Sequence, residues 1–161
     1  MKRIFATFIG TILATGLVLA SPSDEPKDLA ARYLNATEEA AIAATWKDWH
    51  PKAVHTVTIK FGLGQPDEKF SYPVADWETL PDWHQDPTLA DAMQGYSETR
   101  REAPRISSEF TDGGTRVIAK TRVDYIWDDT TGTMNQTDSF FIVPQAGRLA
   151  IRALDTTFDY R

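Results

Sequence analysis

Apolar and polar residues alternate with a period of two along the second half of this chain. Between residues 115 and 127, Val117, Ala119, Val123, Tyr125 and Trp127 share one parity, and Arg116, Lys120, Arg122 and Asp124 share the other. That pattern predicts a strand with one buried and one solvated face. Further strands are predicted over 106–110, 133–143 and 149–158, separated by the polar turn runs 112–114, 128–132 and 144–147. Short connections favour hairpins, so the sheet is expected to be antiparallel. A second hairpin is expected upstream. Val57, Ile59 and Phe61 alternate with Thr56, Thr58 and Lys60, and Phe70, Tyr72 and Val74 return on one face after a loop holding Gly62, Gly64 and Pro66.

The period changes to that of a helix nearer the N-terminus. Leu29, Ala30, Tyr33 and Leu34 predict a short helix over 28–35. Thr37 is a suitable N-cap for a second, with Ile42, Thr45, Trp46 and Trp49 along one stripe and Pro51 as its stop. Thr88, with Asp91 three residues on, is the cap of an expected third helix whose apolar face is Leu89, Ala92, Met93 and Tyr96, ended by Pro104. Residues 75–87 follow no period and hold Trp77, Trp83 and His84 among Asp76, Asp82, Asp86, Pro81 and Pro87. Helices set apart from an antiparallel sheet make an α+β domain of about three helices.

The first twenty residues are of another kind. Lys2 and Arg3 precede an almost wholly apolar or small run, and Val18 and Ala20 stand three and one residues before Ser21. This is the pattern of a secretory signal peptide over 1–20, giving an exported protein, periplasmic or secreted. The apolar run of about 16 residues is short of the ~20 that a membrane span needs. A polar, flexible leader is expected over 21–27 and a single domain over 28–161. Losing Lys2 and Arg3 takes the net charge from −6 to −8. An acidic domain without a basic run argues against nucleic acid and against docking on anionic lipid. The chain has no cysteine, which excludes disulfides, thiolate catalysis and Cys-based zinc sites.

Candidate chemistry is sparse. His84, beside Trp83 and near Asp86, could act as a general base, although loop histidines are more often simply exposed. His55 shares its parity with Val57 and Ile59 and is expected as a hydrogen-bonded buried histidine. His50 is expected at a helix C-terminus, with no function. The three histidines have no metal-ligand spacing, so no metal and no cofactor are expected. Asp138 shares its parity with Phe140 and Ile142. If it faces inward its pKa should rise, as a catalytic acid or base requires; the alternative is a position in water at the mouth of the fold. Trp46 and Tyr125 are expected in the core. Trp77, Trp83, His84, Tyr125 and Trp127 are the candidate ligand contacts.

The segments DLAARYLNATEEAAIAATWKDW, PTLADAMQGYSETRREAP, RISSEFTDGGTRVIAKTRVDYIW and TMNQTDSFFIVPQAGRLAIRALDTTF together resemble the nuclear transport factor 2-like superfamily, with its SnoaL-like and ketosteroid isomerase-like domains. The likeness is one of element order and apolar pattern. It implies a strongly curved sheet wrapped into a cone, helices on one side, a pocket at the mouth and dimers formed through the outer sheet face. It also implies that any enzyme of this kind uses a pocket Asp or His as base, sometimes with a Tyr as donor. No such motif is matched residue by residue. Binding of a small apolar molecule or a protein partner without catalysis is therefore the first reading. A cofactor-free isomerase, cyclase or dehydratase using Asp138 or His84 is the second, and a structural dimer module is the third. A buried, desolvated Asp138 beside a Tyr or His would turn the order towards catalysis.

Overall fold

Strand β5 (Gly114–Trp127) organises the sheet because it is long enough to serve two neighbours on one edge. Its first half pairs with β4 (Arg105–Thr111) and its second half with β3 (Tyr96–Arg101). Its other edge pairs throughout with β6 (Thr130–Gln145), which pairs in turn with β7 (Arg148–Asp159). β1 (Trp49–Lys60) and β2 (Glu68–Pro73) complete the sheet in the order β2-β1-β7-β6-β5-β3. The computed structural model describes residues 25–36, 39–62, 64–76, 91 and 94–160. Within them the class is mixed α+β, with a curved, unclosed seven-stranded sheet and two helices. No helix among these residues is long and apolar enough to cross a membrane.

The predicted strands are present, most of them longer by one to a few residues at their ends, although β2 stops at Pro73 and leaves Val74 to a 3₁₀ turn, and most pairs are antiparallel. One is not: β1 runs parallel to β7, with Val57 beside Thr156 and Ile59 beside Phe158. The parallel pair joins the N-terminal hairpin to the last strand, a juxtaposition that hairpin spacing cannot reveal.

The helices depart further from expectation. α1 (Pro26–Leu34) starts two residues early, with Pro26 in its first turn, where the missing N–H costs nothing. α2 (Glu39–Thr45) is short, a 3₁₀ turn follows over Trp46–Asp48, and Trp49 already belongs to β1. Pro51 therefore does not stop a helix, and His50 sits in a strand rather than at a helix end. Register is lost between Trp49 and Val54, so the proline falls where the ladder is interrupted and no N–H is missed. The His50 ring accepts the Lys52 N–H at 3.0 Å, and Arg152 donates to the Lys52 carbonyl at 2.5 Å. Trp46, expected in the core, is 38% exposed because the chain has left the helical period before reaching it. Thr37, Thr88, Leu89, Ala92 and Met93 lie outside the described residues, and with them most of the third helix. The segment that was to close it is a strand. Gly95 turns at φ 79°, and Tyr96 begins β3.

Two apolar clusters line the inner face. One is mainly aliphatic: Val117, Phe140, Ile142, Ile151 and Leu154, with Trp49 and Ala53, under Leu29 and Ala30 of α1. The other has Val57, Ile59, Val123, Met134 and Phe158 at its base, with Phe61, Tyr96, Tyr125, Trp127 and Tyr160 packed above them. The outer face is largely polar, with short threonines at its middle and lysines on either side. The row Lys120, Thr137, Thr157, Thr58 and Lys69 crosses it from strand to strand.

Candidate functional site

Between the two clusters the inner face turns polar. Asp138 stands on the buried parity of β6, between Met134 and Phe140, and is 2% exposed. Its neighbour on β5 is Ala119, small enough to leave space for a carboxyl group, and its neighbour on β7 is Thr156. The Thr156 hydroxyl donates to Asp138 Oδ1 at 2.8 Å, and the Gln136 amide, two residues along the same face, donates to Oδ2 at 2.8 Å. His55 is buried on β1 and its Nε2 lies 3.0 Å from Thr156 Oγ1.

The belt continues on the other side. Arg101 Nη1 donates to Gln136 Oε1 at 2.8 Å, which turns the Gln136 NH₂ towards Asp138. The rest of the guanidinium grips Glu98, at 2.9 Å from Nε and 2.5 Å from Nη2. Glu98, Arg101, Gln136, Asp138, Thr156 and His55 thus form one chain of hydrogen bonds that reaches from β3 to β1. Burial makes such mutual satisfaction compulsory, because an unpaired polar group in this position would cost roughly 1–3 kcal/mol.

Burial decides the charge state of Asp138. Removal from water pushes its pKa up to about 6, while the bonds from Thr156 and Gln136 and the charge of Arg101 pull it down less strongly. Arg101 pulls least of the three, its own charge being shared with Glu98. Tyr33 of α1 lies within electrostatic reach, packed edge-on against Trp49 at 5.5 Å and Phe140 at 5.7 Å. Burial, then the Asp138 carboxylate, push its phenol pKa up, so it stays a neutral donor. A carboxyl group poised near neutrality, with a neutral phenol within electrostatic reach, can take up or give a proton. Among the described residues each Asp138 oxygen accepts one protein bond, and a carboxylate oxygen has capacity for a second.

The aromatic end is a separate place. Tyr96, Tyr125, Trp127 and Tyr160 pack with ring centroids 5.2 to 6.0 Å apart. Trp127 Nε1 donates to the Gln94 carbonyl at 2.9 Å. Tyr125 lies over Gly132, its partner on β6, where a Cβ would meet the phenol oxygen at 2.4 Å. Gly132 is six residues from Asp138 along β6, roughly 20 Å at ~3.3 Å per residue. Tyr125 and Trp127 are therefore both in the aromatic group and not neighbours of Asp138. Trp77, Trp83 and His84 lie outside the described residues. No group of three or more His, Cys, Asp or Glu among the described residues is placed to hold a metal ion.

The inward position of Asp138 and the buried, hydrogen-bonded state of His55 follow their strand parity. Glu98, Arg101, Gln136 and Thr156 went unrecognised. Gln136 and Thr156 share the parity of Asp138 and Phe158 and could have been found from it. Arg101 could not, because its segment is expected from the sequence as the end of a helix and, in the strand it forms, the register shifts between Glu98 and Arg100. That bulge places two exposed residues in succession and returns Arg101 to the inner face, three residues after Glu98 instead of two or four.

No protein-family model matches the chain, and no curated protein does. Many solved structures similar to it are named NTF2-like or ketosteroid isomerase-like. A ketosteroid isomerase-like protein from Erwinia carotovora atroseptica SCRI1043 shares 13% identity, over 81% of this chain and 91% of that one, with a TM-score of 0.47. The beta subunit of a benzoate 1,2-dioxygenase from Burkholderia mallei ATCC 23344 shares 11%, over 82% and 87%, with a TM-score of 0.49. An NTF2-like protein of unknown function from Prochlorococcus marinus shares 7%, over 85% and 95%, with a TM-score of 0.45. At these identities the likeness is one of fold. The names are those of the superfamily that the element order resembles.

Proposed function

We propose that this chain binds a small, mainly apolar molecule on the inner face of its sheet and moves a proton to or from it without a cofactor. Asp138 is the acid–base group. The observation that carries this reading is one carboxylate, isolated between two apolar clusters and bonded to neutral donors, with its pKa raised to about 6. A carboxylate with a purely structural task is usually paired with a cation, as Glu98 is with Arg101. Tyr33, held neutral, is the donor for an oxygen on which charge builds up. The chemistry that fits is proton removal beside a carbonyl, as in isomerisation or cyclisation, or loss of water.

Deuterium uptake by simple probe compounds tests this. A panel of small cyclic ketones and enones is incubated with the protein in D₂O and followed by NMR. Uptake at the carbon beside the carbonyl should be accelerated by the wild type and lost in Asp138→Asn. If compounds bind, shifting the emission of Trp127 and its tyrosine neighbours, and no exchange depends on Asp138, the chain is a binding module. The stacked rings of Phe61, Tyr96, Tyr125 and Tyr160 favour an apolar or aromatic ligand in that case.

Export remains part of the proposal, supported by Lys2, Arg3 and the apolar run before Ser21. Dimerisation through the outer face is likewise proposed. Its support is the row of Thr137, Thr157 and Thr58, whose short side chains let a second sheet approach closely.

A further inference from the structure

We infer that His55 is the second proton-holding group of this site, exchanging a proton with Asp138 through the hydroxyl of Thr156. This rests on the acid–base reading of Asp138. A threonine hydroxyl has one proton to donate. When Asp138 is ionised Thr156 gives it to Oδ1 at 2.8 Å, and the 3.0 Å contact with His55 is then one in which Nε2–H donates and Thr156 accepts. That is the array for an ionised Asp138, with Nε2 protonated.

The reverse arrangement uses the same atoms. When Asp138 has taken a proton from substrate, and the imidazole has passed to its Nδ1–H tautomer by giving the Nε2 proton to water and taking one from water at Nδ1, the Oδ1–H donates to Thr156 and the hydroxyl turns its own proton to the bare Nε2. In the transfer, Oδ1–H breaks as a new O–H forms on Thr156, and the old Thr156 O–H breaks as Nε2–H forms. The carboxylate is restored, the imidazole becomes imidazolium, and no electrons change hands. Run backwards, the shift reloads Asp138 as an acid.

The groups around the pair leave His55 as the partner for this proton. Asp138 faces Gln136 on its own strand, Thr156 on β7, Arg101 of β3 with Glu98 bound to it, and Tyr33 of α1. Beyond Thr156, His55 lies opposite Tyr72 on β2. Arg101 does not release a proton in proteins, and it engages Glu98 through two nitrogens. The Tyr33 phenol is held protonated by burial. An imidazole is the side chain suited to exchange near neutrality. Three strands set the spacing. Thr156 is the cross-strand neighbour of Asp138, and His55 is diagonal to Thr156 on the parallel β1–β7 ladder, where its own partner is Leu154.

Nitrogen-15 NMR of the imidazoles in the full chain tests this, with His55 assigned by the signal missing from His55→Gln. At pH 8 the wild type should show the Nε2–H tautomer. Asp138→Asn mimics the protonated carboxyl. Gln136 must keep its NH₂ towards position 138 because Arg101 holds its carbonyl oxygen. The new amide then accepts from Gln136 and donates to Thr156, which turns to His55, so the tautomer should switch to Nδ1–H. The same tautomer in both proteins would overturn the inference. Should Asp138→Asn not fold, the wild type suffices. The His55 nitrogens should report the titration of Asp138, lose that step in Thr156→Val and regain it in Thr156→Ser. A His55 response indifferent to Thr156 overturns the coupling. In the deuterium assay, Thr156→Val should slow exchange about tenfold, with Ser restoring it. Exchange that is unaltered in Asp138→Asn while the tautomer still switches would sink the acid–base reading and leave the coupling standing.

Discussion

The two ends of the inner face bury their apolar surface by different means. At the aliphatic end Val117, Phe140, Ile142, Ile151 and Leu154 are almost fully excluded from water, and α1 closes over them with Leu29, Ala30 and Tyr33. At the aromatic end Val57, Ile59, Val123 and Met134 are equally buried, but no helix among the described residues covers them. Half-buried rings pack on one another instead. A helix can seal a surface of branched side chains because its own apolar stripe interlocks with them. Aromatic rings can roof a surface themselves, with their polar tips near its edge. The belt from Glu98 to His55 lies where one kind of packing gives way to the other.

The largest effect should come from the sealed end. Phe140→Ala removes a fully buried ring and should cost about 3–5 kcal/mol in urea unfolding. If the aromatic end is instead the more rigid one, Tyr125→Ala will cost as much; the expected figure is about 1–2 kcal/mol, because Tyr125 is half-buried and its partner on β6 is Gly132, which has no side chain to pack on it. Comparing the two variants in one denaturant series measures the contrast directly.

Arg101→Met should come close to the Phe140 variant, at about 3–4 kcal/mol, because it leaves Glu98 buried without its cation. The double variant with Glu98→Gln should recover most of that loss. Arg101→Met should also raise the Asp138 pKa further, since the Arg101 charge lowers it in the wild type.

The pH dependence is the next effect in size. A carboxyl group whose pKa is higher in the folded than in the unfolded chain binds its proton more tightly when folded. Its contribution is complete below the unfolded value of 3.8 and is lost as pH rises through about 6. At ~1.4 kcal/mol per pKa unit, stability should fall by about 3 kcal/mol across that window. Asp138→Asn, which cannot ionise, should flatten this part of the profile in thermal melts.

Much of the sheet was legible because alternation at period two reports directly on a half-buried strand. Val117 to Trp127, and Asp138 beside Phe140, needed nothing else. The parallel pairing of β1 with β7 was not legible, since it joins strands about a hundred residues apart and no turn chemistry announces it. The end of α2 misled for a local reason. Trp46 and Trp49 continue a helical spacing by chance, while the chain passes through a 3₁₀ turn into a strand. At the site, parity located Asp138 and His55. It missed the Arg101 support because residues 96–101 are expected from the sequence as the end of a helix, and a bulge in β3 would have defeated parity there even in a strand.

The most direct test of the central claim is the titration of the Asp138 side-chain carboxyl by carbon-13 NMR, assigned through Asp138→Asn. The account predicts a midpoint near pH 6, moving upward in Thr156→Val and in Arg101→Met, since both groups pull it down in the wild type. A midpoint in the ordinary carboxylate range, about 3.9, unmoved by either substitution, would contradict it.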